Sequence, residues 1–167
     1  LPVTTPTPSK EALSSYAKIP ELASPEEQAE KKANVLIALQ DRYTIFLNGY
    51  EKDFNRLRAQ LGIILSSSSS VKQKKDDFIN LLKNIAIFRN SLNELDRNIV
   101  SLDPIELELE KYQVNPSGYG DSSLIFILER IRKTNTGLKY RLNSLIQNIS
   151  TMQREISDAH ILLMKQI

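Results

Sequence analysis

The stretch VKQKKDDFINLLKNIAIFRNSLNELDRNIVSL, residues 71–102, decides the fold. An apolar residue returns every seventh position at Val71, Phe78, Ile85, Leu92 and Ile99, and a second row offset by three runs through Leu81, Phe88, Leu95 and Leu102. Rows so spaced form an a/d seam, because at about 3.5 residues per turn one stripe of a helix faces its neighbours along its whole length. Ile79, Leu82, Ala86 and Ile87 add apolar character away from the seam. That width predicts burial on more than one side, and hence a bundle of three or more helices.

The same reading extends in both directions. Ser24-Pro25-Glu26-Glu27 predicts a helix start, with serine as cap, proline in the first turn and Glu27 completing a capping box. The helix expected over 25–65 carries Leu36, Tyr43, Tyr50, Leu57 and Ile64 in one row. Leu39, Phe46, Phe54 and Leu61 form the other, which slips by one position between Phe46 and Phe54. Gly49 and Gly62 lie inside this helix, where a close helix contact is expected at the first and fraying near the second. Five serines, Ser66 to Ser70, then predict a reversal, since serine competes with helix hydrogen bonds.

After the second helix, expected over 70–102, Asp103-Pro104 is a stop and a new start. Ile105-Glu106-Leu107-Glu108-Leu109-Glu110 alternates strictly, which is a half-buried strand signal, while good helix formers and the Asp-Pro start favour a short helix over 104–112. Pro116, Gly118 and Gly120 mark a loop. A last helix over 122–167 follows, with rows at Leu128, Asn135, Leu142, Ile149, Ile156 and Leu163, and at Leu124, Ile131, Leu138, Leu145, Met152 and Ala159. Upstream, residues 1–24 hold four of the seven prolines, with a fifth at Pro25, and read as an extended arm with one short helix over 9–18. The expected architecture is all-α: an arm over 1–24, then over 25–167 an elongated antiparallel bundle of three long heptad-patterned helices, with a short extra helix or extended segment before the last one.

Composition narrows the function. Lys plus Arg number 22 against 20 for Asp plus Glu, a net charge of +2, which points to neither nucleic acid nor a polybasic membrane tether. Lys72, Lys74 and Lys75, and Arg130, Arg132 and Lys133, read as solvated faces near helix starts rather than phosphate sites. There is no cysteine, so no disulfide framework or thiolate site. The longest apolar runs, Val35 to Leu39 and Leu124 to Leu128, fall far short of the roughly 20 residues of a membrane span. Leu1 is not a methionine, which predicts an N-terminus made by cleavage, trimming or fragment choice.

Chemistry is sparsely provisioned. His160 is the only histidine, read as a surface or seam residue, and Glu155 stands five positions before it, not the three of a carboxylate-bundle metal motif. Gly118-Tyr119-Gly120 lacks the preceding strand and third glycine of a phosphate loop. Asp76-Asp77 and Glu106, Glu108 and Glu110 suit helix starts better than acid/base catalysis. Asn148-Ile149-Ser150 matches a glycosylation sequon but lies inside the helical pattern, and Tyr43, Phe46 and Tyr50 read as core. No catalytic, cofactor-binding or metal-binding residues are expected, and no cofactor.

Asn135 is the polar residue with a specific expected purpose: in an apolar row a buried asparagine fixes register or partner number, unless the position is wet. Ile167 ends the chain in mid-pattern, which predicts docking of the last helix or its continuation. The expected function is a non-catalytic structural or scaffolding subunit acting through helical protein contacts. Partner-facing candidates are Leu1, Pro2, Val3, Pro6 and Pro8 in the arm, and Leu162 and Ile167 at the other end. The alternatives are a processed extracytoplasmic or organellar accessory subunit, bound peripherally to a membrane complex through its arm, and a virion or cell-surface structural component.

Overall fold

The computed structural model describes residues 25–114 and 122–166. The arm over 1–24, its short helix, the Ser24 cap, the loop glycines Gly118 and Gly120, and Ile167 lie outside the described residues. The described residues are helical almost throughout: α1 is Pro25–Ser66, α2 Val71–Val100, α3 Asp103–Val114 and α4 Ser122–Met164. Residues 105–110 are therefore helix, not strand.

The boundaries follow from local chemistry. Residues 67–70 are non-helical, and Ser70 restarts the chain as a capping residue: its Oγ accepts from the Gln73 N–H at 3.2 Å and its carbonyl accepts from the Lys74 N–H at 3.0 Å. Between α2 and α3 the Leu102 carbonyl accepts the Glu106 N–H at 3.0 Å. The α3 helix thus begins at the Asp103-Pro104 pair, where proline's missing donor is no loss.

The helices pack into two compact units. The first comprises Leu47–Asn93 and 141–166. Its core is Leu47, Tyr50, Phe54, Leu57 and Leu61 from α1, Phe78, Leu81, Ile85, Phe88 and Leu92 from α2, and Leu142, Leu145, Ile149, Met152, Ile156 and Leu163 from α4. Tyr50 meets Phe88 edge to face, with ring centroids 6.0 Å apart at 83°. Around this core Arg89 donates to the Gln153 side chain at 2.7 Å, and Arg141 donates to Asn48 and pairs with Glu51.

The second unit comprises 25–46 and Glu94–Tyr140. It buries Ala29, Ala33, Leu36, Leu39 and Tyr43 from α1, Leu95, Ile99 and Leu102 around the end of α2, Leu109 from α3, and Leu124, Leu128, Ile131 and Leu138 from α4.

Four expectations are corrected by the structure. Along α1 the buried positions step by four and three without a slip, through Leu36, Gln40, Tyr43, Leu47, Tyr50, Phe54, Leu57 and Leu61. Gln40 and Leu47 fill the row; Phe46 is half-buried instead, with the Arg42 guanidinium 5.6 Å from its ring centroid. Along α2 the off-seam apolar residues are not a second core face: Ile79 and Leu82 are half-buried, and Ala86 and Ile87 are exposed. Nor does Gly49 mark a close contact, because a Cβ built there, or at Gly62, meets nothing within 4 Å. Both glycines are exposed, and the helix continues past Gly62 to Ser66.

Candidate functional site

Polar groups enter the core of the second unit at two positions. Gln40 is buried because its side-chain Nε2 donates to the Ile131 carbonyl at 2.9 Å, which satisfies a group that would otherwise be costly to bury. Asn135 stands one helical turn beyond Ile131 on α4 and is only 5% exposed. Its Nδ2 donates to two carboxylates of α3, Asp103 Oδ1 at 3.0 Å and Glu106 Oε2 at 2.7 Å. Lys139, a further turn along α4, donates to both oxygens of Asp103 at 2.8 Å. Position 135 is thus buried, and its amide joins two helices.

This arrangement fixes the electrostatics. Burial acts to raise the Asp103 pKa, but hydrogen bonds from Lys139 and Asn135, and the lysine's charge, outweigh it and hold the carboxyl below its ordinary 3.8. With both Nδ2 hydrogens committed to carboxylates, the amide orientation is set. Asn135 Oδ1 then points where no donor reaches it among the described residues.

Every acid along α3 has a partner on a neighbouring helix. Glu108 pairs with Lys32 of α1 at 2.8 Å, and Glu110 with Arg132 of α4 at 2.8 Å, beside the Asp103 and Glu106 contacts. Among the described apolar side chains of α3, Leu109 is fully buried, Ile105 is half-buried and Leu107 is 62% exposed. The strict Leu/Glu alternation that resembled a strand is explained by these roles, with Leu109 inward, Leu107 outward and the glutamates reaching sideways to α1 and α4.

The remaining candidates are dispersed. Leu162 is 62% exposed and, with Ile64, Leu65, Phe78 and Leu163, lines a hollow of about 180 Å³ in the first unit. Leu1, Pro2, Val3, Pro6, Pro8 and Ile167 lie outside the described residues. His160 is half-buried on α4, its Nε2 enclosed without a hydrogen-bond partner among the described residues. In the sequon, Ile149 is buried and the Ser150 hydroxyl donates to the Ile146 carbonyl at 2.9 Å, so the motif is part of the helix. Among the described residues no group of three or more His, Cys, Asp or Glu could hold a metal ion, and no helix is long and apolar enough to cross a membrane.

Sequence reasoning missed Gln40. The signal was available: Leu36, Tyr43, Leu47 and Tyr50 leave a gap at 40 in an otherwise regular alternation of three and four. It also missed the α3 acids as anchors, because their partners are up to 76 positions away in the chain. No protein-family model matches the sequence, and neither a curated protein nor a solved structure shows significant similarity to it.

Proposed function

We propose that this chain is a non-catalytic scaffolding subunit that works through helical protein contacts. In this reading α1, α2 and α4 form an elongated, heptad-patterned antiparallel coiled-coil bundle, with α3 clasped against it. The observation that carries the reading is the division of labour on α4. One face buries Leu124, Leu128, Ile131, Asn135, Leu138 and Leu142 in regular steps, while large side chains such as Phe126 and Tyr140 remain outside. In this reading the outward apolar groups serve contacts with another molecule.

Local contacts support the antiparallel arrangement within the first unit. Tyr50 meets Phe88 while Gln60 and Ile64 share a hollow with Asp77 and Leu81, so α1 numbering rises as α2 numbering falls. Likewise Arg89 meets Gln153 while Phe78 shares a hollow with Leu163. The 43 residues of α4 amount to about 65 Å of helix. Small-angle scattering tests the shape: a radius of gyration well above the globular expectation of about 15 Å is expected, and a value at that figure contradicts the bundle. Light scattering of the chain purified with and without its cellular partners tests the role.

A further inference from the structure

Helix α4 carries a second stripe, opposite the one it buries. Phe126, Arg130, Lys133, Gly137 and Tyr140 follow in steps of four and three, so they stand in line on one face. The two rings at its ends are largely in solvent, Phe126 at 68% and Tyr140 at 74% exposure. Arg130 and Lys133 between them are exposed as well, and with Phe126, Glu129 and Thr134 they border a shallow hollow of about 300 Å³. Lys133 pairs with Glu129 at 3.3 Å, while Arg130 has no carboxylate partner among the described residues. A Cβ built on Gly137 meets nothing within 4 Å, so the stripe has a bare, open step beside Tyr140.

We propose, building on the scaffolding reading above, that this face docks an acidic amphipathic helix of another protein. The rings are 14 positions apart, about 21 Å along the axis, which is two heptads of a partner lying side by side with α4. Aromatic and arginine side chains are the groups that most often anchor such contacts. The missing side chain at Gly137 lets a partner backbone approach closely. The two cations between the rings select carboxylates on the partner's flanks.

Charge also argues against a second copy of this chain. A two-fold antiparallel pairing that sets each Phe126 against the other copy's Tyr140 is centred on Lys133 and brings the two lysines together, and a parallel pairing stacks Arg130 on Arg130 and Lys133 on Lys133. Like charges so placed oppose association. A lipid surface fits less well, because two cations flanked by a glutamate fall short of the four to eight basic residues that typically hold a protein to anionic headgroups.

The test uses the whole chain and two synthetic helices of about three heptads, alike in their leucine seam, one flanked by glutamates and one by lysines. Fluorescence anisotropy at moderate salt should show saturable binding of the glutamate peptide and at least tenfold weaker binding of the lysine peptide. Phe126→Ala, Tyr140→Ala and the double change Arg130→Glu with Lys133→Glu should each weaken the glutamate peptide about tenfold or more, while circular dichroism stays unchanged because all these side chains are exposed. Equal binding of both peptides, or binding indifferent to the variants, overturns the proposal. So does a dimer in analytical ultracentrifugation that Phe126→Glu dissolves, or retention on phosphatidylserine vesicles lost with the same variants. If a native partner binds but ignores these substitutions, this face is wrong while the scaffolding reading stands; if the chain has no protein partner, the scaffolding reading itself falls.

Discussion

Asn135→Asp is the sharpest perturbation, because it keeps size and shape while exchanging an amide donor for a carboxylate. In the native protein Nδ2 lies 3.0 Å from Asp103 and 2.7 Å from Glu106. Bonds to charged acceptors contribute about 1.5–3 kcal/mol each, but Asp103 keeps Lys139 and both acids are partly exposed, so about 2 kcal/mol is lost in total. A third carboxylate beside two others adds repulsion: unit charges 4 Å apart near a surface interact by about 4 kcal/mol, relieved in part by water and by Lys139. The sum is a destabilisation of about 3 kcal/mol at pH 7. Burial beside two acids raises the pKa of the new aspartate, so its charge, and with it the repulsion, disappears as pH falls. Urea unfolding followed by circular dichroism at pH 7 and pH 4 should therefore show a penalty that shrinks by half or more on acidification. Equal stability of variant and parent at pH 7, or a penalty independent of pH, refutes the account of the cluster.

Other outcomes follow from the same geometry. Gly49→Ala and Gly62→Ala should each stabilise by about 0.5–1 kcal/mol, read as a rise in Tm, since both glycines are exposed in helix and the added methyl meets open space. Phe88→Ala should cost about 3–5 kcal/mol, as the ring is fully buried against Tyr50. The folded-state pKa of Asp103 is depressed, so its contribution is complete above its ordinary 3.8 and drains as pH falls through the lower folded value; Asp103→Asn should flatten that part of the acid unfolding curve. Because partly exposed charge pairs tie α3 to its neighbours, raising NaCl to about 1 M, where screening acts within about 3 Å, should speed hydrogen exchange of its amides while the buried segments of α2 are unaffected.

What was legible in the sequence was what apolar spacing encodes. Phe78 to Leu102 and Leu124 to Leu163 form rows whose inward positions were readable because every step but one is occupied by an apolar side chain. The exception, Asn135, stood out for the same reason. In α1 Leu39 is buried as its spacing implied, but the row also runs through Gln40, whose burial depends on a carbonyl 91 positions away, and through Leu47 in place of the half-buried Phe46, so the slip does not exist. In α3 local pattern left helix and strand both open, because the deciding contacts, Lys32, Arg132, Asn135 and Lys139, come from distant helices. Gly49 was misjudged because a glycine inside a helix suggests a close approach, and only its surroundings show open space.

The central claim is that this chain acts by holding other proteins against its helices. It is tested most directly by tagging the protein in its native source, cross-linking in place and identifying what co-purifies, with cross-linked positions mapped on the chain. The expected result is a protein partner in fixed stoichiometry, cross-linked to exposed helical faces, with Phe126→Ala and Tyr140→Ala reducing its recovery and no chemical turnover by the purified complex. A chain recovered alone, or with a tightly held small molecule or metal ion instead of a protein, would contradict it.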